Sequence, residues 1–145
     1  MTSLPSSTDV ETVVRRYYAV VSDRSSTEDE LRALLSPGIR VTEHPNAVTP
    51  AGAVRDLSGT IAGFRAGKAL LREQSFAVHE VLPAGPRAAV RATWRGVAGV
   101  DAGPFRAGQE LIAEVAALLT VRDGVVAEHE TFDCYRPAAA APVTP

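Results

Sequence analysis

The chain is poor in the residues that announce most specialised chemistry. A single cysteine among 145 residues, Cys134, excludes an internal disulfide and reads as a small buried hydrophobe near a strand end. The three histidines, His44, His79 and His129, show none of the short paired spacings of a ligand motif, so no metal is expected. No stretch approaches the roughly 18 apolar residues of a membrane span, and Met1 to Asp9 lacks the basic and apolar regions of a secretion signal. A cytoplasmic protein with no membrane partner is expected. Lysine occurs once, Lys68, among 15 basic residues, which reflects codon usage in a GC-rich genome and says nothing about chemistry. The net charge of −2 and isoelectric point near 5.9 arise from interspersed charges. Without a basic stripe to track a phosphate backbone, nucleic acid is not an expected partner. Gly96, Gly99, Gly103 and Gly108 lie between two expected strands with no helix N-terminus behind them, which excludes a phosphate loop.

What is present is enough apolar sequence, 46%, for the core of one domain. Residues 9–137 carry the pattern, and the Ser/Pro/Thr-rich 1–8 and the Ala/Pro tail 138–145 are expected to be disordered. Thr8-Asp9-Val10-Glu11 has capping-box spacing, and Val10, Val13, Val14, Tyr17 and Val21 then recur at helical intervals to about Ser22. Thr27 to Glu30 repeats the start signal for a shorter helix with Leu31, Leu34 and Leu35, stopped by Pro37-Gly38. Ile39 to His44 alternates as a strand, Asn46 to Gly52 is loop, and Val54, Leu57, Ile61 and Phe64 mark a third helix closing near Gly67. Four long strands follow, in Arg72 to Leu82, Arg87 to Val97, Phe105 to Val121 and Val125 to Tyr135. The last two are joined at Asp123-Gly124, the strongest hairpin signal present. Helices gathered ahead of a sheet make the fold class α+β.

The last strand carries His129, Thr131 and Asp133 on one face, where a plain core would hold apolar side chains, and so reads as a pocket wall. His129 and Asp133 stand about 13 Å apart along the strand and cannot pair directly. His44, before Pro45, titrates near neutral pH and is a candidate general base, or else a histidine that orders the turn. Tyr17 is either a hydrogen-bond donor to a developing oxyanion or a packed core tyrosine. Asp133 either orients a histidine or substrate, or pairs with Arg91 or another sheet arginine. Asn46, Phe64, Trp94 and Thr131 are the candidate substrate contacts. Glu110, Ile112, Glu114, Ala116 and Leu118 share the outer parity of the long strand, a mixed face that suits a sheet-to-sheet homodimer.

This arrangement resembles the nuclear transport factor 2-like superfamily over roughly Val10 to Pro137. The resemblance implies a cone in which three helices pack into a curved, mainly antiparallel sheet around a cavity. Within it the chain is similar to the SnoaL-like polyketide cyclases, whose last strand often runs from Asp-Gly to Glu-His-Trp-Asp. Asp123-Gly124-Val125-Val126-Ala127-Glu128-His129 matches, and Glu130-Thr131 replaces Trp-Asp. The ketosteroid isomerases of the superfamily carry a tyrosine in a stretch similar to Arg15-Arg16-Tyr17-Tyr18 and a base in a Val-Glu-Asp-Pro segment similar to Thr42-Glu43-His44-Pro45. That similarity implies Tyr17 as oxyanion donor and His44 as base. Their second acid falls among Val115, Ala117 and Leu118, where this chain has none. The resemblance also implies that His129, Thr131 and Asp133 face the cavity. Together these point to cofactor-independent isomerase, cyclase or dehydratase chemistry on a small hydrophobic carbonyl compound. A non-catalytic binding protein and a dimerising interaction module are the alternatives.

Overall fold

Helix α1 (Ser7–Ser22) starts two residues earlier than expected because Ser6, not Thr8, closes the capping box. The Asp9 amide donates to Ser6 Oγ at 3.1 Å and the Ser6 amide to Asp9 Oδ2 at 3.3 Å. Val10, Val14, Tyr17 and Tyr18 form its buried stripe. The computed structural model describes residues 6–102 and 105–137; the remainder of the expected disordered ends, 1–5 and 138–145, lies outside the described residues.

Helix α2 (Glu28–Arg32) carries the expected box between Thr27 and Glu30, but ends before Leu34 and Leu35. Leu35 instead opens strand β1 (Leu35–Glu43), which runs through the expected stop at Pro37. Proline disfavours helix in the residue before it but tolerates an extended chain. The pairing of β1 breaks register between Leu35 and Arg40, where Pro37 has no amide to donate. Val54 belongs to a short strand β2 (Ala53–Arg55), antiparallel to β1, rather than to the third helix. Helix α3 (Leu57–Leu70) begins behind Asp56, whose side chain accepts from the Gly59 amide at 2.9 Å, and continues past Gly67.

Strands β3 (Leu71–Ala84), β4 (Arg87–Ala98), β5 (Glu110–Arg122) and β6 (Val125–Tyr135) follow as an antiparallel series. β5 starts later than expected because Phe105 is drawn into a separate bridge with Ala102. At the β5–β6 turn both Asp123 (φ 53°) and Gly124 (φ 76°) are left-handed, the conformation of a type I′ hairpin. The sheet order is β2-β1-β6-β5-β4-β3, with β1 and β6 parallel.

The curved sheet wraps its inner face around α1 and α3. Ala88, Ala92, Ala113 and Ala117 are buried on that face, and their short side chains leave room beneath the helices. On the outer face Leu118 and Phe132 are exposed among ion pairs such as Arg95 with Glu73 and Glu110. Cys134 has the same outward parity and is exposed, not buried as its residue type suggests.

Candidate functional site

Between α1, α3 and the inner face lies a cavity of about 500 Å³. Its wall is mostly apolar, with Val21, Leu31, Val41, Phe64, Phe76 and Trp94 among the lining residues. Trp94 is held by a hydrogen bond from its indole N–H to Gln74 Oε1 at 2.9 Å, and Gln74 in turn donates to the Val21 carbonyl at 3.2 Å. A side chain at Gly96 would meet the indole ring at 2.5 Å, so the missing Cβ lets Trp94 lie against its own strand.

Two polar groups interrupt this wall. In the first, Tyr17 and Tyr18 descend from α1 onto His129 of β6. The Tyr17 hydroxyl lies 2.8 Å from His129 Nδ1, and the two rings meet edge to face at 5.3 Å. Burial pushes the imidazole down to about 4 and both phenols above their ordinary range, so all three rings are uncharged at neutral pH. Tyr18 Oη and His129 Nε2 are both buried and have no hydrogen-bond partner.

The second group sits where β1, β2 and β6 run side by side. Glu43 accepts from Arg55 at 2.9 Å and from the Asn46 amide nitrogen at 2.8 Å. Burial alone would raise its carboxyl, but the hydrogen bonds of Asn46, Arg55 and Thr49 outweigh it and hold Glu43 below the usual carboxylate range. Asp133 has no cation beside it. Burial pushes its carboxyl up, the hydrogen bond from Thr131 (2.6 Å) offsets part of this, and the nearby Glu43 charge raises it again. Burial, with Asp133 and Glu43 adding to it, also raises the Tyr135 phenol, which stays protonated.

Six of the sequence-derived candidates line the cavity: Tyr17, His129, Asp133, Phe64, Trp94 and Thr131. Asp133 pairs with no arginine, and Arg91 reaches Glu80 instead. His44 does not reach the cavity. It stacks on Phe132 at 4.3 Å and holds Glu130 Oε2 at 2.7 Å on the outer face. The reason is the period of two along β1: Ile39 and Val41 are buried, Glu43 continues their face, and His44 must point the other way. Asn46 does not line the cavity either; it acts through Glu43 and orders the following loop, accepting from the Val48 and Thr49 amides. Glu43, Arg55, Tyr18, Gln74 and Tyr135 line it without having been singled out from the sequence. The alternation Ile39, Val41, Glu43 and the helical spacing Val10, Val14, Tyr17, Tyr18 were the available signals for two of them. Among the described residues no group of three or more His, Cys, Asp or Glu side chains is placed to hold a metal ion, and no helix is long and apolar enough to cross a membrane.

The SnoaL-like domain family matches residues 14–129, most of the chain, and the protein belongs to that family. Solved structures share the fold. IdmH, a candidate polyketide cyclase from Streptomyces antibioticus, is 21% identical, with a TM-score of 0.71 over 86% of this chain and 91% of its own. A candidate SnoaL-like polyketide cyclase from Jannaschia sp. CCS1 is 22% identical, with a TM-score of 0.72 over 92% and 90%. AclR, a candidate hydroxylase from Streptomyces galilaeus, is 16% identical, with a TM-score of 0.72 over 91% and 83%. No curated protein sequence matches the chain.

Proposed function

We propose that the protein is a cofactor-independent acid/base enzyme of isomerase, cyclase or dehydratase type, acting on a small hydrophobic carbonyl compound of polyketide character. The observation that carries this reading is the pair of cavity carboxyls driven in opposite directions, Glu43 held ionised by the hydrogen bonds of Asn46, Arg55 and Thr49 and Asp133 raised by burial. A carboxylate raised in this way is a stronger base than one in water, which favours its taking a proton from carbon. Asp133 takes a proton from the carbon beside the carbonyl, and the C–H electron pair moves onto oxygen to give an enolate. Tyr135, two residues along the same face, donates its phenol hydrogen bond to that oxygen. Reprotonation elsewhere, attack on a second carbonyl or loss of a β-hydroxyl then yields an isomer, a ring or an alkene. His44, on the outer face, has no part in this scheme. The cytoplasmic location and the sheet-to-sheet homodimer through the Leu118 and Phe132 face belong to the same proposal.

The test is exchange of the α-protons of 2-tetralone in D2O, followed by NMR. The protein accelerates exchange over buffer, and Asp133→Asn loses about 100-fold or more. Equal rates for the two proteins would sink the assignment. The non-catalytic alternative draws on one observation: Ala113, Val115, Ala117 and Leu119 give the inner face of β5 no polar group to share the work.

A further inference from the structure

The Tyr17–Tyr18–His129 group is not used by the proposed reaction. His129 and Asp133 share one face of β6 four residues apart, about 13 Å between Cα positions. A carbonyl reacting at Asp133 is therefore not also the group held at His129. Yet Tyr18, 3% exposed, and His129 both line the cavity, and each carries a buried polar atom, Tyr18 Oη and His129 Nε2, that no group among the described residues satisfies. Buried polar atoms are ordinarily paired, and two orphans on one cavity wall point to a ligand atom as their partner.

We propose that Tyr18 and His129 form a second, remote anchor for one oxygen of the substrate, so that the substrate class is an apolar body with an oxygen function at each end, the far one a phenol or carbonyl. This rests on the reading of the cavity as a carbonyl-compound site. Tyr17 is the positioning residue. Its O–H, 2.8 Å from Nδ1, donates to that nitrogen and leaves the proton of the neutral imidazole on Nε2. The anchor then offers two donors, Nε2–H and Tyr18 O–H, to one oxygen, and the Tyr18 hydroxyl can accept from a phenol by turning. Neither atom is open to water in the structure, so seating the oxygen requires the two rings to shift. The cavity volume of about 500 Å³ holds a fused-ring compound long enough to span both ends.

The experiment compares binding of 2-tetralone with that of 6-hydroxy-2-tetralone, whose second oxygen lies at the opposite end of the bicycle, using Trp94 fluorescence. The added hydroxyl tightens binding about tenfold in the unaltered protein, and Tyr18→Phe returns the ratio to about one. Because the Tyr18 hydroxyl has no partner among the described residues, Tyr18→Phe unfolds at the same or a higher temperature, which a structural role for that hydroxyl would not allow. In the ¹⁵N spectrum, His129 is the Nε2–H tautomer, and its Nε2 signal moves with the hydroxylated ligand but not with 2-tetralone. An unchanged affinity ratio in Tyr18→Phe, or a proton on Nδ1, would overturn the anchor. A tenfold gain without α-proton exchange would support the anchor and count against the catalytic reading alone.

Discussion

Two polar groups in one cavity meet the cost of burial in opposite ways. At the helix side, Tyr17, Tyr18 and His129 have no charged neighbour in hydrogen-bond reach, and burial keeps each of them neutral. At the strand ends, Glu43 is half-buried but stays ionised, because three side chains donate to it and one of them is a guanidinium. Burial disfavours charge in both places; the number and charge of the donors decide whether it wins. Asp133 lies between these extremes, with one neutral donor and no cation, which makes it the group best placed to change protonation state during a reaction.

The contrast can be broken from either side. The largest effect is expected from pH. His129 has an ordinary value of 6.5 and a folded value of about 4, so the unfolded chain binds the extra proton between those limits. The stability contributed by the neutral imidazole is complete above pH 6.5 and is lost as pH falls to 4, on the order of 3 kcal/mol in all. Urea unfolding at a series of pH values will show this slope in the native protein and its loss in His129→Phe; parallel slopes would contradict it. Arg55→Ala leaves the half-buried Glu43 beside Asp133 with only neutral donors, at a cost of about 2 kcal/mol at pH 7, less than for a fully buried pair because Arg55 is a third exposed. The same loss applies at high pH and shrinks as Glu43 becomes protonated in acid. Gly52→Ala places a side chain at φ 67° with its Cβ 2.7 Å from the Glu43 carbonyl oxygen, for roughly 1–2 kcal/mol, and shifts the end of β1 that carries Glu43. Smallest is His44→Ala, which removes a half-exposed stack on Phe132 and a hydrogen bond to Glu130 for no more than about 1 kcal/mol and leaves 2-tetralone exchange as it was.

That last variant also marks how far the sequence could be read. The α+β class, the capping box of the second helix and the Asp123-Gly124 hairpin follow from local chemistry that the structure repeats, whereas the first helix takes its cap from Ser6 rather than Thr8. The inward face of β6 could be stated once a fold was in view. The failure lay one residue away on β1, where anchoring on Pro45 placed His44 at the site although Ile39, Val41 and Glu43 already define the inner face. Period-two alternation makes a one-residue slip a change of side, from cavity to outer surface. Arg55 could not be found this way, because a strand of three residues is too short to show a pattern. The parallel pairing of β1 with β6, which brings Glu43 opposite Thr131, depends on residues nearly 90 positions apart and leaves no local trace.

One cavity holds a neutral imidazole–phenol group at one end and a charged carboxylate, Glu43, with Asp133 beside it at the other. An NMR titration of ¹³C- and ¹⁵N-labelled protein tests it directly by following His129, Glu43 and Asp133 together. The expected result is that His129 stays neutral at pH 5 with a midpoint near 4, while Glu43 titrates below and Asp133 above the ordinary carboxylate range. A His129 midpoint near 6.5, or Glu43 and Asp133 titrating together, would contradict it.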